Sequence, residues 1–407
     1  MPRVKPRRLN ILHVATINNP ISSQLGYSPI ETVIYNLDKG LHARGHRSIV
    51  ACSADSRVAG EHHATVSRSL GDYLRECTPK AQAHVDRHLS RALVRAQQGD
   101  IDVVHMHEWF ERVYNRSFNP PVPIVMTLHV PGANSGMEEF DAAAPAVLER
   151  RQPRFVAISD HQRREYAGLV PVSDVVPHGV DVEEYEFRGE PEAMPYLLSI
   201  GRISPVKGQD VAIDVARRSG AKLVVAGCVQ DKKEDRAFFE SLVGAFDLVV
   251  DVGREPVGSD YFERVMQPIL ASDAQVVYIG EVDTAAKKCW FRHAQATLFP
   301  VQWGEPFGMV LIESMASGTP IVGFGRGAVP EIVKDGKTGF VVDSVDEMVA
   351  AVGSIARIDR RDCRRHVEER YSLETMAEGY EAVYEGLARV QRVRVLPKAG
   401  RRATGVA

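Results

Sequence analysis

The feature that most constrains this chain is a pattern of short apolar runs alternating with amphipathic segments, laid down once and then begun again. "LNILHVATI" reads as a buried strand, "PIETVIYNLDKGLHARG" as a helix closed by Gly45, and "HRSIVACS" as the next strand. "IDVVHMH", "PIVMTLH" and "RFVAIS" follow, each a strand ending in polar residues. Parallel neighbours need a crossover, so strands alternating with helices predict a doubly wound parallel sheet. After the loop "EEYEFRGEPEAMP" the pattern restarts at "YLLSIGRI", and "AKLVVAGC", "AQVVYIG", "ATLFPV", "TPIVGF" and "TGFVVD" supply five more strands. The class is therefore α/β with two Rossmann-like domains, 1–190 and 191–372, and 407 residues is ample for two cores. The irregular stretch 228–280 holds "FDLVVDVG" as an added strand or loop. An amphipathic helix over 373–390 precedes a basic tail, 391–407, expected to be disordered.

Composition narrows the function classes. A net charge of −3 does not suit a duplex nucleic-acid binder. The five cysteines (Cys52, Cys77, Cys228, Cys289, Cys363) are scattered and never spaced CxxC, which argues against a disulfide framework or structural zinc and for a reducing compartment. The basic start "MPRVKPRRLNILHVATI" has a short, interrupted apolar run and reads as a first strand rather than a signal peptide. No run reaches the length of a membrane span. The expectation is a cytoplasmic protein, with at most weak membrane-surface association through its tail.

Ligands of open α/β sheets bind beyond the carboxyl ends of the strands. There, "LLSIGRISPVKGQD" sets Arg202 at a strand end and Lys207 five residues on, a forked donor and a mobile point charge suited to a diphosphate. "ATLFPVQWGEPFG" is a strand and a loop, and "MVLIESMASG" a helix ended by Gly318. Gly304 and Gly308 let the loop backbone approach a ligand. Free amides near Gly308, Met309 and Val310 make an anion site at the helix start. Glu305 lies in the loop and Glu313 about one turn inside the helix, its side chain tilted back toward the N-terminus. The two acids therefore bracket a diphosphate held between them.

"GEPFGMVLIESMASGTPIVGFGRGAVPEIVKDGKTGFVV" resembles the signature of retaining glycosyltransferases of family 4, which have the GT-B fold; the segment from "YLLSIGRISPVKGQDVAI" to "YIGEV" is most similar to the branch that includes avilamycin-type transferases. The resemblance extends through "GLHARGH", "DVVHMH", "VAISDHQR", "VPHGVDVEEY" and "ERYSLETMAEGYEAVY". It implies two Rossmann-like domains facing across a cleft, an N-terminal acceptor domain and a C-terminal nucleotide-sugar domain, with the last helix crossing back to the N-terminal one. It implies that Glu305 and Glu313, the family's E-x7-E pair, meet the donor sugar and the ribose hydroxyls, that Arg202 and Lys207 clamp the diphosphate, and that His129 matches the N-domain histidine near the donor sugar. His129, Arg202, Lys207 and Glu305 are then the catalytic set, and Gly308, Met309, Val310 and Glu313 the donor-binding set. The activity implied is a retaining hexosyltransferase that moves a sugar from a nucleotide-diphosphate donor, GDP-mannose or UDP-glucose, to a hydroxyl of a carbohydrate or glycoside acceptor. The nucleotide-sugar is a co-substrate; no cofactor and no metal are expected.

Two departures from the family pattern stand out. Where the family has paired glycines after the first strand, this chain has Ser28 and Pro29, and Pro29 lacks an amide donor. Gly26, Tyr27 and Ser28 are candidates for shaping an acceptor pocket; the alternative is that Tyr27 packs under the loop and Pro29 only starts a helix. The family's Asn before "GVD" is His178. "GFGRGA", 323–328, mimics a dinucleotide fingerprint but has no full helix after it. Asp100 and Asp102 mimic a metal-binding D-x-D but precede a strand, and His105 and His107 share a strand face with no further ligand expected nearby. Another GT-B enzyme (an epimerase or a phosphorylase) and a nucleotide-sugar-binding protein without turnover remain as alternatives.

Overall fold

The structure, a computed structural model, describes residues 7–23, 26, 28–71, 78–108, 119–132, 153–190 and 192–395, with side chains as far as residue 387. Two parallel seven-stranded sheets organise it. The first comprises β1 (Asn10–Val14), β2 (Arg47–Ser53), β3 (Glu61–Val66), β4 (Val103–Met106), β5 (Ile124–Thr127), β6 (Arg154–Ala157) and β7 (Val172–Val175), in the order 3-2-1-4-5-6-7. The second comprises β8 (Leu197–Ile200), β9 (Leu223–Ala226), β10 (Leu248–Val249), β11 (Val276–Tyr278), β12 (Ala296–Phe299), β13 (Ile321–Phe324) and β14 (Gly339–Val342), in the order 10-11-9-8-12-13-14. Each sheet reverses direction of growth beside its first strand, between β1 and β4 and between β8 and β12. A crevice at the carboxyl ends follows from that reversal.

Central strands are buried on both faces, as in β4, β5, β8, β9, β12 and β13, which is why they read as continuous apolar runs. Alternation still sorts the faces of the first sheet. Leu12, Val14, Val104, Met106 and Met126 pack under helix α2 (Pro79–Ala96). Ile11, Val103, Val125 and Val156 point the other way, toward α1 (Pro29–Ala43) and the last helix.

That last helix, here α5 (Leu373–Val395), crosses back onto the first domain. Met376, Ala377, Tyr380, Val383 and Tyr384 form the i, i+4, i+7, i+8 stripe of a helix with one buried face. Fully burying such side chains contributes about 1.5–3 kcal/mol each. At its edge Glu381 takes both Nη2 and Nε of Arg44 at 2.7 Å and faces the His46 ring at 2.6 Å. The helix runs to Val395, five residues into the stretch expected to be a tail, so 391–395 is helical rather than disordered. The rest of that stretch, 396–407, lies outside the described residues.

Among the described residues, no helix is long and apolar enough to cross a membrane, and Cys52, Cys228, Cys289 and Cys363 are free.

Candidate active site

The second domain's contribution starts at the carboxyl end of β8. Arg202 leaves the strand and its Nη1 donates to Gln230 Oε1 and Asp235 Oδ2, both at 3.2 Å. Lys207 closes a single 3-10 turn, Pro205–Lys207. Its Nζ lies 2.6 Å from Glu305 Oε2, with the ring of Trp303 5.3 Å away and that of Phe299 5.7 Å away. Both cations are thus paired with carboxylates.

Glu305 is buried, and its Oε2 also accepts from Trp303 Nε1 at 2.9 Å. The dinucleotide-like segment explains why this loop holds its shape. Gly327 has φ +65°, and a Cβ there would sit 2.2 Å from the Glu305 nitrogen, so only glycine lets the two backbones meet. Ala328 N then donates to Glu305 O at 2.8 Å. Three residues on, Gly308 adopts φ +90° and starts helix α4 (Met309–Ala316) without a side-chain cap. The first amides of α4 are therefore not committed to a capping side chain. Glu313, one turn in, is buried; Lys287 Nζ, from helix α3 (Thr284–His293), donates to its Oε1 at 2.7 Å, and Tyr185 also bonds it.

A cavity opens beside Lys287 and the start of α4. Met309, Val310 and Glu313 line it from the second domain, and Gly26 and Ser28 from the first. Ser28 precedes α1 as its N-cap residue, with no side-chain cap bond, and Pro29 takes the first helical position. A Cβ on Gly26 would fall 2.5 Å from Glu281 Oε1, so that loop reaches the opposite wall of the cleft. Tyr27 lies outside the described residues.

His129 follows β5 and is half-buried. It does not stand alone. His107 Nδ1 meets His129 Nε2 at 3.1 Å, and His107 Nε2 meets His13 Nδ1 at 3.2 Å. His178 stacks on the other side of His129 with centroids 5.7 Å apart, and Phe307 from the second domain packs edge-on to His178 at 5.0 Å. His105 bridges Tyr384 Oη and Thr127 Oγ1, both at 2.7 Å. The expectation that His105 and His107 have no third ligand nearby is wrong. β1 pairs with β4 in a register that sets His13 opposite His105, and the three rings bring one nitrogen each within 4.8 Å of one another. Burial lowers the pKa of His13 and of His129 to about 3, and pulls His105, His107 and His178 well below the ordinary value of 6.5. The row is neutral at physiological pH.

Two family models match this chain: "Glycosyl transferases group 1" over residues 181–370 and "Glycosyltransferase Family 4" over residues 30–184. The chain is a glycosyltransferase. Among curated relatives, the phosphatidyl-myo-inositol mannosyltransferase of Mycobacterium leprae is 27% identical over 376 residues, 87% of this chain and 88% of that protein. Among solved structures, AviGT4, a glycosyltransferase involved in avilamycin A biosynthesis, superposes with a TM-score of 0.62 at 22% identity, over 94% of this chain and 98% of its own. Anabaena HepE in complex with UDP-glucose gives 0.65 at 16% identity, over 93% and 100%. At such identities the two structures speak for the fold alone, and the fold of this glycosyltransferase is GT-B.

In this glycosyltransferase Met309, Val310 and Glu313 share the cavity wall and Lys207 meets Glu305, whereas Arg202 turns to Gln230 and Asp235, and Arg202, Lys207, Glu305 and Gly308 are not among the residues lining the cavity. Asp100 and Asp102 do not join them: Asp100 pairs with Arg47 and Arg95, and Asp102 with Arg7, at the opposite, amino ends of the first sheet. Sequence reading missed Trp303 and Lys287, the partners of the two glutamates. It also missed His13, whose place beside His107 follows from strand register. Period-2 spacing of His105 with His107 and of Thr127 with His129 was the available signal.

Proposed function

We propose that this glycosyltransferase is a retaining hexosyltransferase that takes its sugar from a nucleotide-diphosphate donor, GDP-mannose or UDP-glucose, and passes it to a hydroxyl of a carbohydrate or glycoside, with no divalent metal. The observation that carries the reading is a cavity that both domains line, with Met309, Val310 and Glu313 of the uncapped helix α4 in its wall and the loop leading into that helix held by the Lys207–Glu305 pair. A leaving diphosphate needs positive charge and aligned N–H groups. Lys207, Arg202 and the first amides of α4 supply them without a metal ion. Glu313, held by Lys287 and Tyr185, is a buried fixed acceptor for ribose hydroxyls. Glu305 offers its carboxylate to the donor sugar. His129 meets that sugar from the first domain, and Gly26 and Ser28 border the acceptor side.

Mannose is the favoured sugar, in keeping with the mycobacterial relative, whose name gives it a mannosyl group to transfer and a myo-inositol lipid to receive it. UDP-glucose remains a donor candidate because HepE, of the same fold, binds it. A thermal-shift panel of GDP, UDP, ADP, GDP-mannose and UDP-glucose tests the donor class. A true donor nucleotide at 100 times its Kd stabilises the folded chain by about 2.7 kcal/mol. A panel in which none raises Tm would contradict the reading.

A further inference from the structure

The histidine row has a direction. His13 is fully buried, and its Nε2 has no hydrogen-bond partner. A neutral imidazole carries one proton, so this orphan atom is either an N–H or a lone pair. An orphaned buried N–H is the rarer and costlier of the two. The His13 proton therefore sits on Nδ1 and is donated to His107 Nε2 across 3.2 Å. His107, accepting there, must hold its own proton on Nδ1, which donates to His129 Nε2 across 3.1 Å. His129, accepting there, is left with its single proton on Nδ1.

We propose that His13 and His107 are positioning residues that fix His129 as the Nδ1–H tautomer, a neutral hydrogen-bond donor in the cleft and not a base. The surroundings hold the row rigid. His105 lies against His107 with centroids 4.1 Å apart and against His13 at 5.3 Å, and is itself pinned by Thr127 and Tyr384. The Thr127 hydroxyl is shared in turn with Tyr380 Oη at 2.7 Å. Helix α5, which crosses back from the second domain, thus braces the rings that set the state of His129. A donor at that position suits a sugar hydroxyl oxygen, whereas the other tautomer would present a lone pair to it. This consequence for turnover rests on the proposed role of His129; the tautomer itself does not.

Long-range proton–nitrogen correlation spectra of the full chain labelled with 15N-histidine test it, with the His129 signals assigned by their loss in His129→Gln. The expected result is a protonated Nδ1 and an unprotonated Nε2. In His107→Leu, which has no donor, His129 is expected to shift to the Nε2–H form or a mixture. His107→Asn, whose amide can place an N–H near the former Nδ1, should restore the Nδ1–H form. His13→Phe, which frees His107 to turn over, should give a mixture and serves if His107→Leu does not fold. A His129 that is an imidazolium or an Nε2–H tautomer in the unmodified chain overturns the proposal, as does one unmoved by these changes. With a donor in hand, kcat should fall about 10-fold or more in His107→Leu at little change in donor KM, short of the ~10²–10³-fold that loss of a stabilising donor costs, and recover in His107→Asn. If no donor is turned over, the proposed function fails while the spectra still judge the tautomer. If the tautomer moves and kcat does not, the catalytic consequence is overturned.

Discussion

Lys207 and Glu305, 98 positions apart in the chain, meet at 2.6 Å beneath the indole of Trp303. The pair joins the turn after β8 to the loop after β12, the two strands that flank the crevice of the second domain. In the proposed reaction Lys207 is a cation held in place before the diphosphate departs. The same pair also bonds the two loops to each other, so its loss has two separable effects.

Lys207→Ala should lower kcat by about 10²-fold or more, and Arg202→Ala should act in the same direction. Lys207→Ala also leaves Glu305 buried beside only the Trp303 N–H, and unpairing a buried charge typically costs about 3–5 kcal/mol. The double variant Lys207→Ala/Glu305→Ala should regain part of the lost Tm without regaining activity. Steady-state kinetics and thermal melts on the three variants check this; a double variant no more stable than Lys207→Ala would show that the pair is not coupled.

Glu313→Ala should raise donor KM with a smaller effect on kcat, since ribose contacts are made alike in ground and transition states. Lys287→Ala should do the same more weakly, because Tyr185 still holds the carboxylate. Donor affinity left untouched by Glu313→Ala would remove the ribose assignment.

Gly327→Ala puts a Cβ where the Glu305 backbone already lies, at a φ that side chains rarely adopt. The expected outcome is a lower Tm together with a loss of kcat, although residue 327 is outside the catalytic set proposed here. Activity and stability near those of the unmodified chain would show that the loop does not depend on this contact.

The buried histidines set an acid limit on stability. His13 is neutral when folded, with its pKa lowered to about 3, and takes up a proton near 6.5 when unfolded. Between those values the unfolded chain binds more protons, so this contribution is complete above pH 6.5 and is lost as pH falls below it. For His13 alone the loss is about 2 kcal/mol by pH 5, at 1.36 kcal/mol per pH unit. His105 and His107 act in the same sense, and the facing phenols of Tyr380 and Tyr384, their pKa values raised by burial, stay neutral throughout. Tm should hold from pH 8 to 6.5 and fall steeply by pH 5, with a shallower fall in His13→Phe. A Tm unchanged to pH 5 would contradict a neutral buried row.

Much of this was legible in the sequence because central parallel strands announce themselves. The cores of β1, β2, β4, β5 and β6, and of β8, β9 and β11 to β13, are apolar runs that two covered faces require. β14, an edge strand with only Gly339 buried, was legible from its apolar run alone, but the edge strands of the first sheet were not. β3, "EHHATV", is largely exposed and polar, and β7, "VSDV", is only partly covered, so neither carries the signal of a buried strand. The glutamates, Arg202 and Lys207 could be placed because they follow strand ends. Their partners could not, since Lys287 reaches Glu313 and His13 reaches His107 only through tertiary register. Gly327 looked like a cofactor motif for a similar reason: spacing records that a backbone must come close, but not to what.

The most direct test is the anomeric configuration of the first product, followed by proton NMR in EDTA with an α-linked donor, GDP-mannose or UDP-glucose, and myo-inositol, simple glycosides or water as acceptor. The expected result is α-configured product, or α-configured free sugar before mutarotation, at a rate that neither EDTA nor added magnesium changes and that Lys207→Ala lowers about 10²-fold or more. A β-configured first product, or transfer that stops in EDTA and returns with magnesium or manganese, would contradict a retaining, cation-clamped reaction at the Lys207–Glu305 wall.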